Sequence, residues 1–405
     1  MKKVLFVMNT MGQGGAETAL LELLRAIDKA SCEVSLYVLT GQGEMIERID
    51  KSVKLLNKSY NAAPVLDKEG RSYLRKTVLR SLFRRANIIR LFPYLVANLF
   101  RMIKKGKVRA DKLLWRVISD GADRFDEEYD LAVSFLEGGS AYYVADHVKA
   151  KKKAAFIHVD YEMAGYSRKL DRDCYLKDDM IFGVSDEVKE AFVKVYPECR
   201  EKCDVFHNLI NISDIREKAE KFEECSPEWK EKREKYRLLL TVGRLTEQKA
   251  LDVSIRALKI IRDRGYDVCW FVLGEGDRRG ELEALVSELG LNGLFVMPGV
   301  VKNPYPYIKQ AEIYVHCSRF EGKSIAIQEA QVLGKPMLVS DCSGNREQVI
   351  PKVDGLMCNL NEEEIAENII RLLDSEELRS RLGQNAARKL EGEENMLSKL
   401  YSLME

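Results

Sequence analysis

The chain has 405 residues and a formal net charge of +1, with a pI near 7.5; it is long enough for two domains with separate cores and too evenly charged for a generic nucleic-acid binder. Nine cysteines without a Cys-x-x-Cys pair (Cys199 and Cys203 come nearest) and four isolated histidines, His147, His158, His207 and His316, offer no zinc spacing and point to reduced, buried thiols. No stretch approaches the roughly 20 apolar residues of a membrane span, and the apolar run in MKKVLFVMNTMGQGG is too short for a signal peptide, so a cytoplasmic protein is expected.

In chain order, the apolar runs KVLFVMN, EVSLYVLT, LAVSFL, AAFIHV, MIFGVS and DVFHN each precede a helical or loop segment. The scheme repeats with YRLLLTVG, VCWFVLG, LFVMPG, IYVHCS, PMLVSD and DGLMCN. Continuous apolar strands between helical segments are the rhythm of doubly wound α/β units, whose parallel strands are buried on both faces. The chain therefore divides into a Rossmann-like domain over 1–207, a charged helical connector over 208–236, a second Rossmann-like domain over 237–380, and terminal helices over 381–405 that pack back toward the first domain.

A helical insert over 68–118 breaks the rhythm. Between Arg71 and Arg116 it carries fourteen bases against the single acid Asp111, so this segment holds +13 and the rest of the chain −12. Leu74, Val78, Leu79, Leu82, Phe83, Ala86 and Ile89 fall on about half a helical wheel opposite Lys76, Arg80 and Arg84. Leu91, Phe92, Tyr94, Leu95, Leu99 and Phe100 follow, ending in Arg101, Lys104 and Lys105. Such a basic amphipathic segment lies in a membrane interface without spanning it, and each base near an anionic leaflet contributes about 1 kcal/mol. The alternatives are an apolar stripe packed on the first sheet, or a patch that holds a polyanionic acceptor.

Four short motifs sit where doubly wound sheets bind ligands, at strand ends. Gly12-Gln13-Gly14-Gly15 follows the first strand; its glycines admit close backbone approach and the helix start offers N–H groups to an anion, although a plain strand-to-helix turn fits equally well. Arg244 and Lys249, in GRLTEQKA, suit a diphosphate as a planar fork and a point charge. Gly274-Glu275-Gly276 is a further tight turn. In SRFEGKSIAIQEAQVLGKP, Glu321 lies in the loop beyond IYVHCS, Gly322, Lys323, Ser324 and Ile325 are expected to form a helical first turn able to hold an anion, and Glu329 lies inside the helix. Ideal geometry places Glu329 about 80° around from Glu321, so the two are not expected to share a proton. Asp171-Arg172-Asp173 follows no strand and reads as a solvated loop, not a metal motif.

These motifs in register resemble glycosyltransferase family 4, retaining enzymes of the GT-B fold. The matching elements are Gly14-Gly15, Gly243-Arg244…Lys249, Gly274-Glu275-Gly276, Glu321…Glu329, Gly334-Lys335-Pro336, and Gly344 with Glu347. The likeness is strongest from about Leu238 to Leu373. It implies transfer of a sugar from a nucleotide-diphosphate donor, with UDP expected, to a saccharide or lipid-linked saccharide in cell-surface polysaccharide synthesis, without a metal or other cofactor. By the same resemblance Gly14 and Gly15 serve the nucleotide sugar, Arg244 and Lys249 neutralise the diphosphate, and Glu275 belongs to the donor site. Glu329 binds the ribose, and Val300 of the Gly299-Val300 loop lies along the base. Gly322, Lys323, Ser324 and Ile325 hold the distal phosphate and sugar, with Glu321 and His158 as catalytic groups. The donor is implied mainly on the second domain and the acceptor mainly on the first. Lys323, where the family has an aromatic, and Ile327-Gln328, where it has Leu preceding the Glu, depart from the pattern. A nucleotide-sugar epimerase of the same fold, distinguished by turnover without acceptor, and a non-catalytic membrane-associated subunit are the rival readings. A nicotinamide dehydrogenase is disfavoured because Glu17 breaks Gly-x-Gly-x-x-Gly. Peripheral attachment to an anionic membrane surface through 71–116, on the inner face of the cell membrane, completes the expectation.

Overall fold

The computed structural model describes residues 1–64, 67–104, 108–342, 344–389 and 396–405. Lys105 and Lys107, counted in the basic insert, lie outside these described residues. The chain forms two units, one comprising Met1–Leu209 and Asn395–Glu405, the other Ile210–Glu394.

In the first unit β1 (Lys2–Met8), β2 (Cys32–Val38), β3 (Lys54–Leu55), β4 (Glu128–Ser134), β5 (Lys149–Ile157), β6 (Met180–Gly183) and β7 (Cys203–Val205) build a seven-stranded sheet in the order β3-β2-β1-β4-β5-β6-β7. In the second, β8 (Arg237–Val242), β9 (Val268–Leu273), β10 (Phe295–Gly299), β11 (Ile313–His316), β12 (Met337–Ser340) and β13 (Leu356–Cys358) form a six-stranded sheet in the order β10-β9-β8-β11-β12-β13. All pairings between these strands are parallel. Every apolar run read from the sequence became a strand; β3, two residues long, carries no readable periodicity. Both sheets are covered on both faces. Leu239, Trp270 and Val272 enter one apolar cluster, while Leu238, Leu240 and Phe271 enter the other, the alternation that pleated backbone imposes. Each sheet reverses its winding once, between β1 and β4 and between β8 and β11, which opens a crevice at those strand ends.

Three expectations change. The segment 208–236 is not a free connector: Trp229, on the helix Pro227–Lys235, is fully buried against Phe271 and Tyr307 at 4.8 and 5.0 Å, so apolar burial ties it to the second unit. The terminal helices divide. Leu382 and Ala386 of the helix Glu376–Lys389 complete the second core, and only the helix Leu397–Ser402 joins the first unit, where the Asp28 N–H donates to the Tyr401 hydroxyl at 2.9 Å and Lys399 pairs with Asp204 at 2.8 Å. The third concerns Asp171, which is no solvated loop residue. It is fully buried and accepts hydrogen bonds from Tyr142 at 2.7 Å, Tyr196 at 3.3 Å and Tyr161, and burial pushes its pKa up to about 6 despite these donors.

The basic insert forms the helices Lys68–Phe83, Asn87–Lys104 and Ala110–Gly121. Left-handed φ values of 53° at Arg85 and 55° at Ala86 interrupt the single stripe expected from Leu74 to Ile89. Leu74 and Val78 pack into the first core, whereas Leu79, Phe83 and Ile89 stay exposed.

A second buried acid sets a pH dependence. Both carboxylate oxygens of Asp178 are buried without a hydrogen-bond partner among the described residues, and burial raises its pKa to about 8. A folded-state pKa above the unfolded one contributes stability that is complete below the unfolded value and lost as pH rises through the folded value. We expect the melting temperature of the wild type to fall between pH 7 and pH 9 relative to Asp178→Asn, whose amide stays neutral throughout; parallel melting curves against pH for the two proteins would contradict this assignment.

Candidate active site

In the second unit the loops after β8 and β11 meet at the winding reversal. Glu321 is their hub. Its buried carboxylate lies 2.5 Å from Lys249 Nζ and 2.6 Å from Ser318 Oγ, with His316 Nε2 at 3.1 Å, all at Oε1. Gln248 Nε2 donates to Oε2 at 3.3 Å and to the Phe320 carbonyl at 2.9 Å, stitching the two loops together. Burial opposes ionisation of Glu321, but the Lys249 ammonium, followed by His316, outweighs it and holds the carboxyl far below the usual carboxylate range. His316 is pushed the other way, down, by burial and by Lys249. At Nε2 His316 faces Glu321 Oε1 at 3.1 Å, Lys249 Nζ at 3.2 Å and Ser324 Oγ at 3.3 Å, and at Nδ1 the Tyr314 hydroxyl at 3.4 Å; the tautomer that donates to Glu321 offers the ammonium no acceptor, whereas the other accepts from it. The site thus holds one buried anion against one cation, with a neutral ring beside them.

Arg244 follows β8, is exposed, and among the described residues makes no ion pair. Glu275 is tied to Arg279, whose Nε donates at 2.9 Å. Its neighbour Gly276 is required by close approach: a Cβ there would lie 2.1 Å from the Leu245 carbonyl oxygen, where the turns after β8 and β9 touch. Val300 is exposed just beyond β10. Glu329 is buried and has a different partner from those of Glu321, the Tyr305 hydroxyl at 3.1 Å.

One local expectation is corrected. The helix begins at Ile325, with Ser324 as its N-cap, so Gly322, Lys323 and Ser324 precede it. Gln348 is the cause: its Oε1 takes the Ser324 N–H at 2.6 Å and its Nε2 donates to the Ser324 carbonyl at 2.8 Å, fixing Ser324 in extended backbone. That amide is occupied and does not serve an anion. Gly344, at φ +78°, closes the far side, since a Cβ there would lie 1.6 Å from the Gly322 carbonyl oxygen.

The first unit places its candidates after β1 and β5, the strands on either side of β4 and so at or beside the other reversal. Gly14 caps the helix Gly15–Ala26. The Glu17 carboxylate folds over it, so close that a Cβ on Gly14 would lie 2.4 Å from Glu17 Oε2; an anion at this helix start must displace that carboxylate. His158 sits just past β5 between the Phe135 and Phe156 rings, 5.0 and 6.2 Å away. It is buried, its Nε2 has no partner among the described residues, and burial lowers its pKa to about 4, leaving the ring neutral. The neighbouring Glu137 carboxylate accepts the His158 and Val159 backbone N–H groups, the latter at 3.0 Å, and burial raises its pKa.

The sequence reading missed His316, Ser318, Gln248, Gln348 and Glu137. Only His316 left a usable signal, the same strand-end position that singled out His158.

Residues 223–389 match the sequence model of the family described as Glycosyl transferases group 1. The N-acetylgalactosamine-N,N'-diacetylbacillosaminyl-diphospho-undecaprenol 4-alpha-N-acetylgalactosaminyltransferase of Campylobacter jejuni is 30% identical over 207 residues, 51% of this chain and 53% of its own length. The alpha-D-kanosaminyltransferase of Streptomyces kanamyceticus is 30% identical over 165 residues, 39% and 43% of the two lengths. The chain spans about half the length of these curated relatives. Among solved structures, Anabaena HepE in complex with UDP-glucose superposes with a TM-score of 0.69 at 14% identity, covering 100% of this chain and 98% of HepE. TarM superposes with a TM-score of 0.65 at 13% identity, covering 100% and 99%. At these identities the superpositions establish the fold, two Rossmann-like α/β units of the GT-B type.

Proposed function

We propose that this chain, whose residues 223–389 form a glycosyl transferases group 1 domain, transfers a sugar from a nucleotide-diphosphate donor, a UDP-sugar, with retention at the anomeric carbon. The observation that carries this reading is the Lys249–Glu321 pair, with His316 and Ser318, placed at the β8/β11 reversal next to the unpaired Arg244. An ammonium has three donors; Glu321 takes one at 2.5 Å and His316 Nε2 lies 3.2 Å away, so Lys249 keeps an N–H for a phosphate oxygen. Arg244 supplies a second, exposed cation. Together they offset the charge that grows on the leaving nucleoside diphosphate in the transition state, a task for which no metal is then needed. Glu329 takes the ribose diol, Glu275 and Val300 flank the nucleotide, and Gly322, Lys323 and Ile325 line the distal phosphate and sugar.

Gly14, Gly15 and His158 of the first unit serve the nucleotide sugar and the transferred group. A neutral His158 with an open Nε2 can hydrogen-bond a sugar hydroxyl without adding charge. The acceptor is a saccharide or lipid-linked saccharide, as the name of the Campylobacter relative indicates for that protein, met at an anionic membrane surface through 71–116. No helix among the described residues is long and apolar enough to cross a membrane.

The test is a panel of UDP-, GDP- and ADP-sugars against the purified chain, read by thermal shift and donor hydrolysis. A UDP-sugar is expected to raise the melting temperature and to be hydrolysed slowly, equally with and without EDTA. No response to any nucleotide sugar would overturn the reading, and activity lost to EDTA and restored by magnesium or manganese would overturn its metal independence.

A further inference from the structure

The helix Asn87–Lys104 is amphipathic the wrong way round for a helix that ends at water. Its inward face is Asn87, Leu91, Tyr94 and Asn98, all buried. Its outward face carries Ile89, Phe92, Val96, Phe100 and Ile103, and Ile89, Phe92 and Phe100 are 76%, 62% and 72% exposed. The helix is firmly seated: the Tyr94 hydroxyl donates to the Leu170 carbonyl at 3.0 Å, Asn87 Nδ2 donates to the Ser81 carbonyl at 2.9 Å, and Arg90 pairs with Asp120 at 3.0 Å. Turning it to hide the phenylalanines would strand those polar groups. A contiguous outward apolar face on an anchored helix marks an interaction surface.

The charges around it choose the occupant. Arg75, Lys76, Arg80, Arg101 and Lys104 are exposed and, among the described residues, form no ion pair. No acidic residue occurs between Arg71 and Arg109. A second copy of this chain, docked face to face, would set these cations against their own images. An anionic bilayer instead offers phosphates to the bases and acyl chains to the apolar face, and the helix meets no criterion for crossing it.

We propose that the helix Asn87–Lys104 lies in the plane of an anionic lipid surface, with Ile89, Phe92, Val96, Phe100 and Ile103 inserted below the headgroups and the bases of the helix Lys68–Phe83 meeting the phosphates. This deepens the membrane reading above by moving the inserted stripe from Lys68–Phe83, where Leu74 and Val78 belong to the core, to the next helix. Arg84 and Arg85 are not part of the docking charge. Arg84 pairs with Asp123 at 2.7 Å and Arg85 donates to the Ala122 carbonyl at 2.7 Å, so both hold the fold.

Vesicle flotation of the full chain tests this, with phosphatidylcholine vesicles containing or lacking phosphatidylglycerol, at low and high salt. The wild type is expected to float with the anionic vesicles at low salt. Phe92→Ser with Phe100→Ser should lower partitioning at least about tenfold with an unchanged melting temperature, because both rings already face outward. Arg75→Glu with Lys76→Glu and Arg80→Glu should abolish the dependence on phosphatidylglycerol. Both variants should keep the thermal response to a UDP-sugar, which separates failure here from failure of the transferase reading. Absence of flotation, equal flotation on neutral vesicles, or a lipid-free dimer that the double serine variant dissociates would each overturn the proposal.

Discussion

Glu321→Ala is expected to lower turnover roughly 10²-fold while changing donor affinity far less, and to destabilise the fold by about 3–5 kcal/mol. The carboxylate is buried and ionised, and it fixes the Lys249 ammonium at 2.5 Å. Removing it leaves a buried cation facing a neutral imidazole, with Ser318 deprived of its acceptor and Gln248 left with the Phe320 carbonyl alone. Lys249 then reorients, and a group that must meet charge appearing in the transition state is displaced. The pair also sets a direction with pH. A depressed folded-state pKa contributes stability that is present above the unfolded value and is lost as pH falls through the folded one, so the wild type and Glu321→Ala converge in stability only under strong acid. Glu321→Ala combined with Lys249→Met should recover much of the stability and none of the turnover, since replacing both members of a buried pair by apolar groups removes the stranded charge. Urea melts with single-turnover kinetics would check this; a single variant as stable and as fast as the wild type would refute the assigned role.

Glu329→Ala should act on the other parameter, raising the donor dissociation constant about 10- to 150-fold with turnover at saturation little changed. A carboxylate accepting from a ribose diol contributes charge-assisted hydrogen bonds worth roughly 1.5–3 kcal/mol, and these are made equally in ground and transition states. Among the bonds described, the Tyr305 hydroxyl at 3.1 Å is its partner in the protein, so Tyr305→Phe serves as a positioning control: it should weaken donor binding in the same direction and by less. Calorimetric titration with UDP and with the matching deoxyribose nucleotide decides the matter. Loss of discrimination between the two nucleotides in Glu329→Ala is expected; retained discrimination would place the diol elsewhere.

How the two sheets arise was legible in the chain, because the part of a parallel strand buried on both faces must be apolar at every position, as VLFVM and VCWFVL are. The polar positions left at strand ends then had few tasks open to them, so Arg244, Lys249, Glu321 and His158 could be picked out one by one. Their partners could not. Lys249 and Glu321 are 72 positions apart and Ser324 and Gln348 are 24 apart, and no local pattern encodes which side chains the winding reversal brings within hydrogen-bond reach. The start of the helix at Ile325 depended on such a partner, since Gln348 claims the Ser324 amide that the sequence assigned to an anion. Asp171 looked solvated among its charged neighbours until three tyrosines from separate elements closed on it. In the basic insert the apolar period was plain in both helices. Which stripe turned inward was decided by where the rest of the unit left room: the first core took Leu74 and Val78 from one helix, and Tyr94 of the other joined Leu113 and Leu170, with Leu91 and Asn98 buried beside it and Phe92 and Phe100 left outside. Periodicity fixes that a helix has an apolar face, whereas the volume and polar partners waiting in the rest of the fold determine whether that face is the one turned inward.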